Sequence, residues 1–184
     1  MEKTTTIFAL AGRRIDAVGT EVPRFPSENI ELVRRRLLQL FEKHKPKALV
    51  SSAACGADLI ALEEAGALGM RRRVVLPFDR DRFRQTSVVD RPGDWANVYD
   101  RIIAQVQLNG DLVTLSGDSS DTEAYAVASE AIFTEATCLG WRAEQDVRAV
   151  LVWDGVPRDE DDLTKLFGDE AKLRGIPIIE VKTI

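Results

Sequence analysis

Six short apolar runs, each separated from the next by a segment of helical spacing or turn residues, constrain the fold of this chain more than any other feature. They are Ile7 to Ala11 ending at Gly12, Ala48 to Val50, Arg73 to Leu76, Asp111 to Leu115, Val147 to Trp153 and Ile176 to Val181. Strands that alternate with helices predict a parallel sheet with right-handed crossovers. Val147 to Trp153 is a nearly continuous apolar run, broken only by Arg148, the pattern of a strand buried on both faces.

The intervening segments carry helix signals. Ser27 reads as an N-cap, with Glu28 and Glu31 in the first turn, and Ile30, Val33, Leu37 and Phe41 repeat at helical spacing up to Pro46. Gly56 to Leu68, stopped by Gly69, is apolar nearly all round and is expected against the sheet. Asp94 caps a helix with Trp95, Val98, Ile102 and Val106 on one side. Thr122 to Leu139 forms a long helix, and Leu163, Leu166, Phe167 and Leu173 belong to a last one, ended by Gly175. Phe78 to Pro92 shows no periodicity and reads as a long charged loop, either a mobile lid with Arg80, Arg82, Arg84 and Arg91 or a self-paired surface loop. The predicted fold is α/β, a three-layer α/β/α doubly wound domain over residues 1–184 with a mainly parallel sheet of about six strands.

Composition narrows the function classes. A net charge of -5 argues against binding nucleic acid over the whole surface, though a local basic pocket stays open. Cys55 and Cys138 are far apart and give no disulfide framework. No stretch reaches membrane-span length and no cleavage signal is present, so a cytoplasmic location is expected, with no membrane partner. The apolar helices leave room for a homodimer.

In open α/β sheets ligands bind beyond the C-terminal ends of the strands. The residues there are Gly12-Arg13-Arg14, Ser51-Ser52-Ala53-Ala54-Cys55-Gly56-Ala57-Asp58, Phe78-Asp79-Arg80, Ser116-Gly117-Asp118 and Trp153-Asp154-Gly155. The second group runs from a strand through small residues into a helix, so free N–H groups and the helix dipole would face a ligand; the alternative is a tight turn in which Gly56 serves packing. Arg13 or Arg14 could meet a phosphate as a bidentate partner, or both could be solvated surface arginines. His44, the only histidine, sits at a helix end and receives no catalytic role. No metal site is read, because no Cys or carboxylate cluster has zinc spacing. Cys55 reads as a space-filling thiol, and Trp153 as either a stacking surface for a base or core packing.

The stretches SSAACGADLIALEEAGALG and RRRVVLPFD resemble the signature of the SLOG superfamily, a Rossmann-like group with DprA-like and LOG-like members. Ser52, Gly56, Ala57, Asp58, Glu63, Gly69, Leu76 and Pro77 fall in register with it. Leu10 to Asp16 is similar to the Gly-His-Arg-x-Asp of bacterial SLOG domains, with Arg in place of His, and Val152-Trp153-Asp154-Gly155 is similar to their Ala-x-Trp-Asp-Gly. The chain departs from the pattern at Val156 to Thr164, where the glycine-rich phosphate loop and glutamate of LOG-type enzymes are replaced by Asp159, Glu160, Asp161 and Asp162. These acids suit the helix dipole and would repel a phosphate by about 1 kcal/mol at 4 Å even in water.

The resemblance implies a sensor-like domain that binds a nucleotide or nucleotide-derived small molecule, with no further cofactor. Its expected site is Gly12, Arg13, Arg14, Ser52, Gly56, Ala57 and Asp58, with Asp154 and Gly155 at the rim. On this reading Gly56→Asp abolishes binding and leaves the fold intact. Two alternatives stand beside it: a phosphoribohydrolase or other nucleotide-processing hydrolase using Glu63 or Asp58, and a degenerate scaffold acting through protein contacts. A role on single-stranded DNA is disfavoured by the acidic charge.

Overall fold

The computed structural model describes residues 5–116, 120–140 and 145–184. Six strands form one all-parallel sheet: β1 (Thr5–Gly12), β2 (Ala48–Ser51), β3 (Arg71–Leu76), β4 (Leu112–Thr114), β5 (Gln145–Trp153) and β6 (Ile178–Lys182). Six α-helices accompany them: α1 (Ile30–His44), α2 (Ala57–Ala67), α3 (Arg80–Ser87), α4 (Trp95–Leu108), α5 (Asp121–Gly140) and α6 (Leu163–Leu173). The strand order is β4-β3-β2-β1-β5-β6. This is a doubly wound, Rossmann-like arrangement, and its order reverses between β1 and β5.

Side-chain alternation along the central strands builds two cores. Phe8 and Leu10 of β1, Leu49 of β2 and Val150 and Val152 of β5 face α1, α2 and α4. Ile7 and Ala9, Val50, Ala149 and Leu151 face α5 and α6. The register keeps each layer aligned: Ala9 stands opposite Val50 on one side and Ala149 on the other. Eight of the eleven residues of α2 are buried, as its all-round apolar character requires.

Besides Ser27, which opens a 3-10 turn (Ser27–Asn29) rather than capping α1, two elements differ from the sequence reading. Arg80–Ser87 is a helix rather than a loop. The Asp79 carboxylate caps it, accepting from the amides of Asp81 at 3.1 Å and Arg82 at 2.9 Å. Its arginines are held in place rather than free to form a lid: Arg84 pairs with Asp100 at 2.8 Å, and Arg82 with Asp121 and the Phe78 ring. In α6 the buried face is Thr164, Phe167, Gly168 and Ala171, whereas Leu163, Leu166 and Leu173 are exposed. A Cβ at Gly168 would stand 2.8 Å from Leu151 Cδ2, so small residues set this helix close to β5. Among the described residues no helix is long and apolar enough to cross a membrane.

Candidate functional site

The reversal of strand order opens a crevice at the C-terminal ends of β1 and β5, where a cavity of about 510 Å³ lies. Volumes of about 300–1,000 Å³ are usual for small-molecule sites. Its floor is Leu10 to Gly12, and its walls are the β2–α2 turn, the end of α3, the first half of α5 and the loop leading into α6.

Gly12 and Gly56 fix this geometry by close backbone approach. A Cβ on Gly12 would meet Ala57 Cβ at 2.5 Å and the Val152 carbonyl at 2.7 Å. Gly56 has φ +96, and a Cβ there would stand 2.8 Å from Ile15 N and 2.9 Å from the Arg13 carbonyl. Three of the turn's amides are already taken: Ala54 N–H donates to Asp58 Oδ2 at 3.2 Å, Cys55 N–H to Ser87 O at 3.0 Å and Ala57 N–H to Arg13 O at 3.1 Å. Gly56 and Ala57 therefore tie the turn to the β1 exit and do not line the cavity. Gly56→Asp would force φ +96 on a side chain against backbone, so it would perturb the fold, contrary to the sequence expectation.

Arg13 is a strut rather than a surface arginine. It is 2% exposed, and its guanidinium donates to Asp154 Oδ1 at 3.0 Å, Asp162 Oδ2 at 2.5 Å and the Val156 carbonyl at 2.7 Å. With both edges of its fork engaged it cannot meet a phosphate as a bidentate partner. Asp154 is buried between Arg13 and Arg24, and neither it nor Gly155 lines the cavity. Asp162 caps α6, accepting from Thr164 N–H at 3.0 Å and Lys165 N–H at 3.1 Å. Burial pushes its carboxyl up, but hydrogen bonds from the Arg158 amide and Arg13 outweigh this and hold it below the ordinary carboxylate value. A buried carboxylate thus occupies the α6 N-terminus, where a helix would otherwise attract a phosphate. Of the four acids predicted there, Asp162 alone is buried; Asp159 and Asp161 line the cavity mouth.

Asp58 is the group with spare capacity. It is 6% exposed, yet its side chain borders the cavity. Oδ2 accepts from Ala54 N–H at 3.2 Å, whereas the buried Oδ1 has no partner among the described residues. Burial pushes its carboxyl up to about 7. A carboxyl so placed can donate or accept near neutrality. The Ser87 and Tyr125 hydroxyls, 2.6 Å apart, face the same space, with Ser52 and Ser129. Arg14 stands at one side, paired with Asp90 at 2.8 Å and partly exposed. Arg158 reaches the mouth from the other.

Comparison with protein-family models finds no match, and comparison with curated proteins finds none. Among solved structures the chain is similar to the X-ray structure of DNA processing protein A (DprA) from Streptococcus pneumoniae. The identity is 13% and the TM-score 0.40, over 97% of this chain and 59% of that one.

Five of the nine residues expected at the site, Gly12, Arg13, Arg14, Ser52 and Asp58, border one cavity. Gly56, Ala57, Asp154 and Gly155 do not line it. Gly117 and Asp118 are outside the described residues. Glu63 is on the far side of α2, paired with Arg34 and Arg101 in a separate cavity, so it cannot act in the crevice. Cys55 is fully buried, and burial raises its thiol to about 11, which removes it from nucleophilic chemistry. Trp153 is 9% exposed and packs in the core on the α5–α6 side. Sequence reasoning missed Ser87, Tyr125, Ser129 and Arg158, because each reaches the crevice from a helix or loop whose position only the topology reveals.

Proposed function

We propose that this chain binds a nucleotide or nucleotide-derived small molecule in the crevice at the ends of β1 and β5. The observation that carries this is Asp58: a buried carboxyl oxygen without a partner among the described residues, at the edge of a cavity large enough for a nucleoside. Leaving such a group unsatisfied costs about 1–3 kcal/mol, which a ligand hydroxyl or ring N–H would recover. The hydroxyls of Ser52, Ser87, Tyr125 and Ser129 suit the ribose and base edges, and the motif resemblance to SLOG domains points to the same strand ends.

A thermal-shift panel of nucleosides, nucleoside mono-, di- and triphosphates, cyclic nucleotides, NAD and ADP-ribose tests this. A binder at a hundred times its dissociation constant adds about 2.7 kcal/mol, a rise of several degrees in melting midpoint. Asp58→Ala should weaken that binder roughly tenfold or more. No shift with any compound, or an unchanged affinity in Asp58→Ala, would remove the crevice from consideration.

A hydrolytic reading has one observation in its favour, the Asp58 value near 7, which suits a general acid or base. Release of free base from a nucleoside monophosphate, lost in Asp58→Asn, would support it; no release would leave binding alone.

A further inference from the structure

Beside the crevice, on the outer side of the loop that follows β1, lies a second and smaller cavity of about 140 Å³. Arg13, Arg14, Arg24, Arg91 and Arg158 all line it, against the single carboxylate of Asp16. Asp16 is already used: its Oδ2 accepts from the amides of Arg24 at 2.9 Å and Phe25 at 3.0 Å. Three of the arginines have carboxylate partners elsewhere. Arg13 pairs with Asp154 and Asp162, Arg24 shares Asp154, and Arg14 pairs with Asp90.

The other two are under-compensated. Arg91 makes no ion pair among the described residues, and its buried Nε has no hydrogen-bond partner. Arg158 has only a 4.0 Å contact to Asp162, a carboxylate already held by Arg13. Burial first, and then the charges of Arg13, Arg14 and Arg24, lower the Arg158 guanidinium from its ordinary value. Asp154, Asp162 and Asp90 balance three of the five guanidinium charges, so the charge left over is that of Arg91 and of the half-exposed Arg158, and an anion in this cavity would offset it. The space is too small for a nucleoside, and the planar forks match the oxygens of a tetrahedral oxyanion.

We propose that this arginine-lined cavity is an anion subsite that takes a phosphate group, with Arg91 and Arg158 as its chief ligands. It is distinct from the α6 N-terminus, which Asp162 already caps. It adjoins the crevice through Arg13, Arg14 and Arg158, which border both cavities. The phosphate is either carried by the crevice ligand or a free ion. The subsite stands on residues other than Asp58 and fails separately from the crevice reading.

The test is titration of the full chain with inorganic phosphate at constant ionic strength, followed by calorimetry or phosphorus NMR. One phosphate should bind per chain. Arg91→Ala and Arg158→Ala should each weaken it roughly tenfold. Arg35→Ala, an exposed arginine of α1, should leave it unchanged. Arg91→Lys, which keeps the charge and loses the fork, guards against a folding defect and should weaken binding by a smaller factor. Failure of phosphate to saturate the protein, or equal weakening by Arg35→Ala and Arg91→Ala, would overturn the subsite. Adenosine and its monophosphate then identify the source. If the monophosphate displaces phosphate and outbinds adenosine in the wild type but not in Arg91→Ala, the group belongs to the crevice ligand. If phosphate and the monophosphate bind together, it is a free ion. Either result upholds the site. If adenosine and its monophosphate do not bind while phosphate does, the crevice reading falls for these ligands and the anion subsite remains.

Discussion

At the scale of single residues, Asp58 makes a prediction with a definite sign. Its carboxyl is raised to about 7 in the folded chain, from 3.8 without burial. The folded state therefore holds a proton that the unfolded state releases, and stability falls as pH rises between those values. Asp58→Asn keeps an acceptor for the Ala54 amide and removes the titration. It should have little effect near about pH 4 and raise the melting midpoint at about pH 8, by up to a few kcal/mol of stability. Equal midpoints at the higher pH would mean that Asp58 is hydrated or paired. The residue was readable in the sequence as a site candidate, because a small-residue turn precedes it at a strand end. Its lack of a partner among the described residues was not readable, since that depends on which groups the folded turn brings near Oδ1. Arg13 shows the converse. An arginine pair after a strand suggests a ligand contact, but Arg13 is drawn inward by Asp154 and Asp162, which are 141 and 149 positions away in sequence.

At the scale of elements, the β5–α6 connection is held by one carboxylate with two duties. Asp162 caps α6 and balances Arg13. Its carboxyl is held below 3.8, so its contribution is fully present above that value and is lost as pH falls through the lower folded value. Asp162→Ala should destabilise the chain on the order of 3 kcal/mol at neutral pH, because it removes the cap and leaves part of a buried guanidinium unbalanced. Asp162→Asn, which keeps an acceptor for the cap, should cost less. Chemical denaturation measures both; a loss below about 1 kcal/mol for the alanine variant would show Arg13 satisfied without it. The acidic run before α6 was visible in sequence as an obstacle to phosphate. That one member is buried against Arg13 was not, because the partner comes from β1. Helix α3 escaped notice because an eight-residue helix with Phe83 and Ser87 as its buried positions shows no apolar stripe. The inward face of α6 was likewise hidden, since Gly168 and Ala171 are chosen for closeness to β5 rather than for hydrophobicity.

At the scale of the whole molecule, alternation of apolar runs and helical segments was enough to predict a parallel α/β sheet, because burial on both faces leaves a central strand little freedom of sequence. The order β4-β3-β2-β1-β5-β6 adds what the sequence could only suggest: the ends of β1 and β5 diverge into a crevice. Walls from β1, α2, α3, α5 and the α6 approach meet there, and an arginine-lined cavity adjoins it. On the proposed reading, the hydroxyl-rich hollow would take a sugar and the neighbouring guanidinium groups its anion. Hydrogen exchange, measured with and without the nucleotide that most raises the melting midpoint, tests this most directly. Binding in the crevice should slow exchange at residues 10–14, 52–58, 83–87 and 158–164, and leave the cavity between α1, α2 and α4 unchanged. Slowed exchange confined to that other cavity, or no change at any of these four segments under saturating ligand, would contradict it.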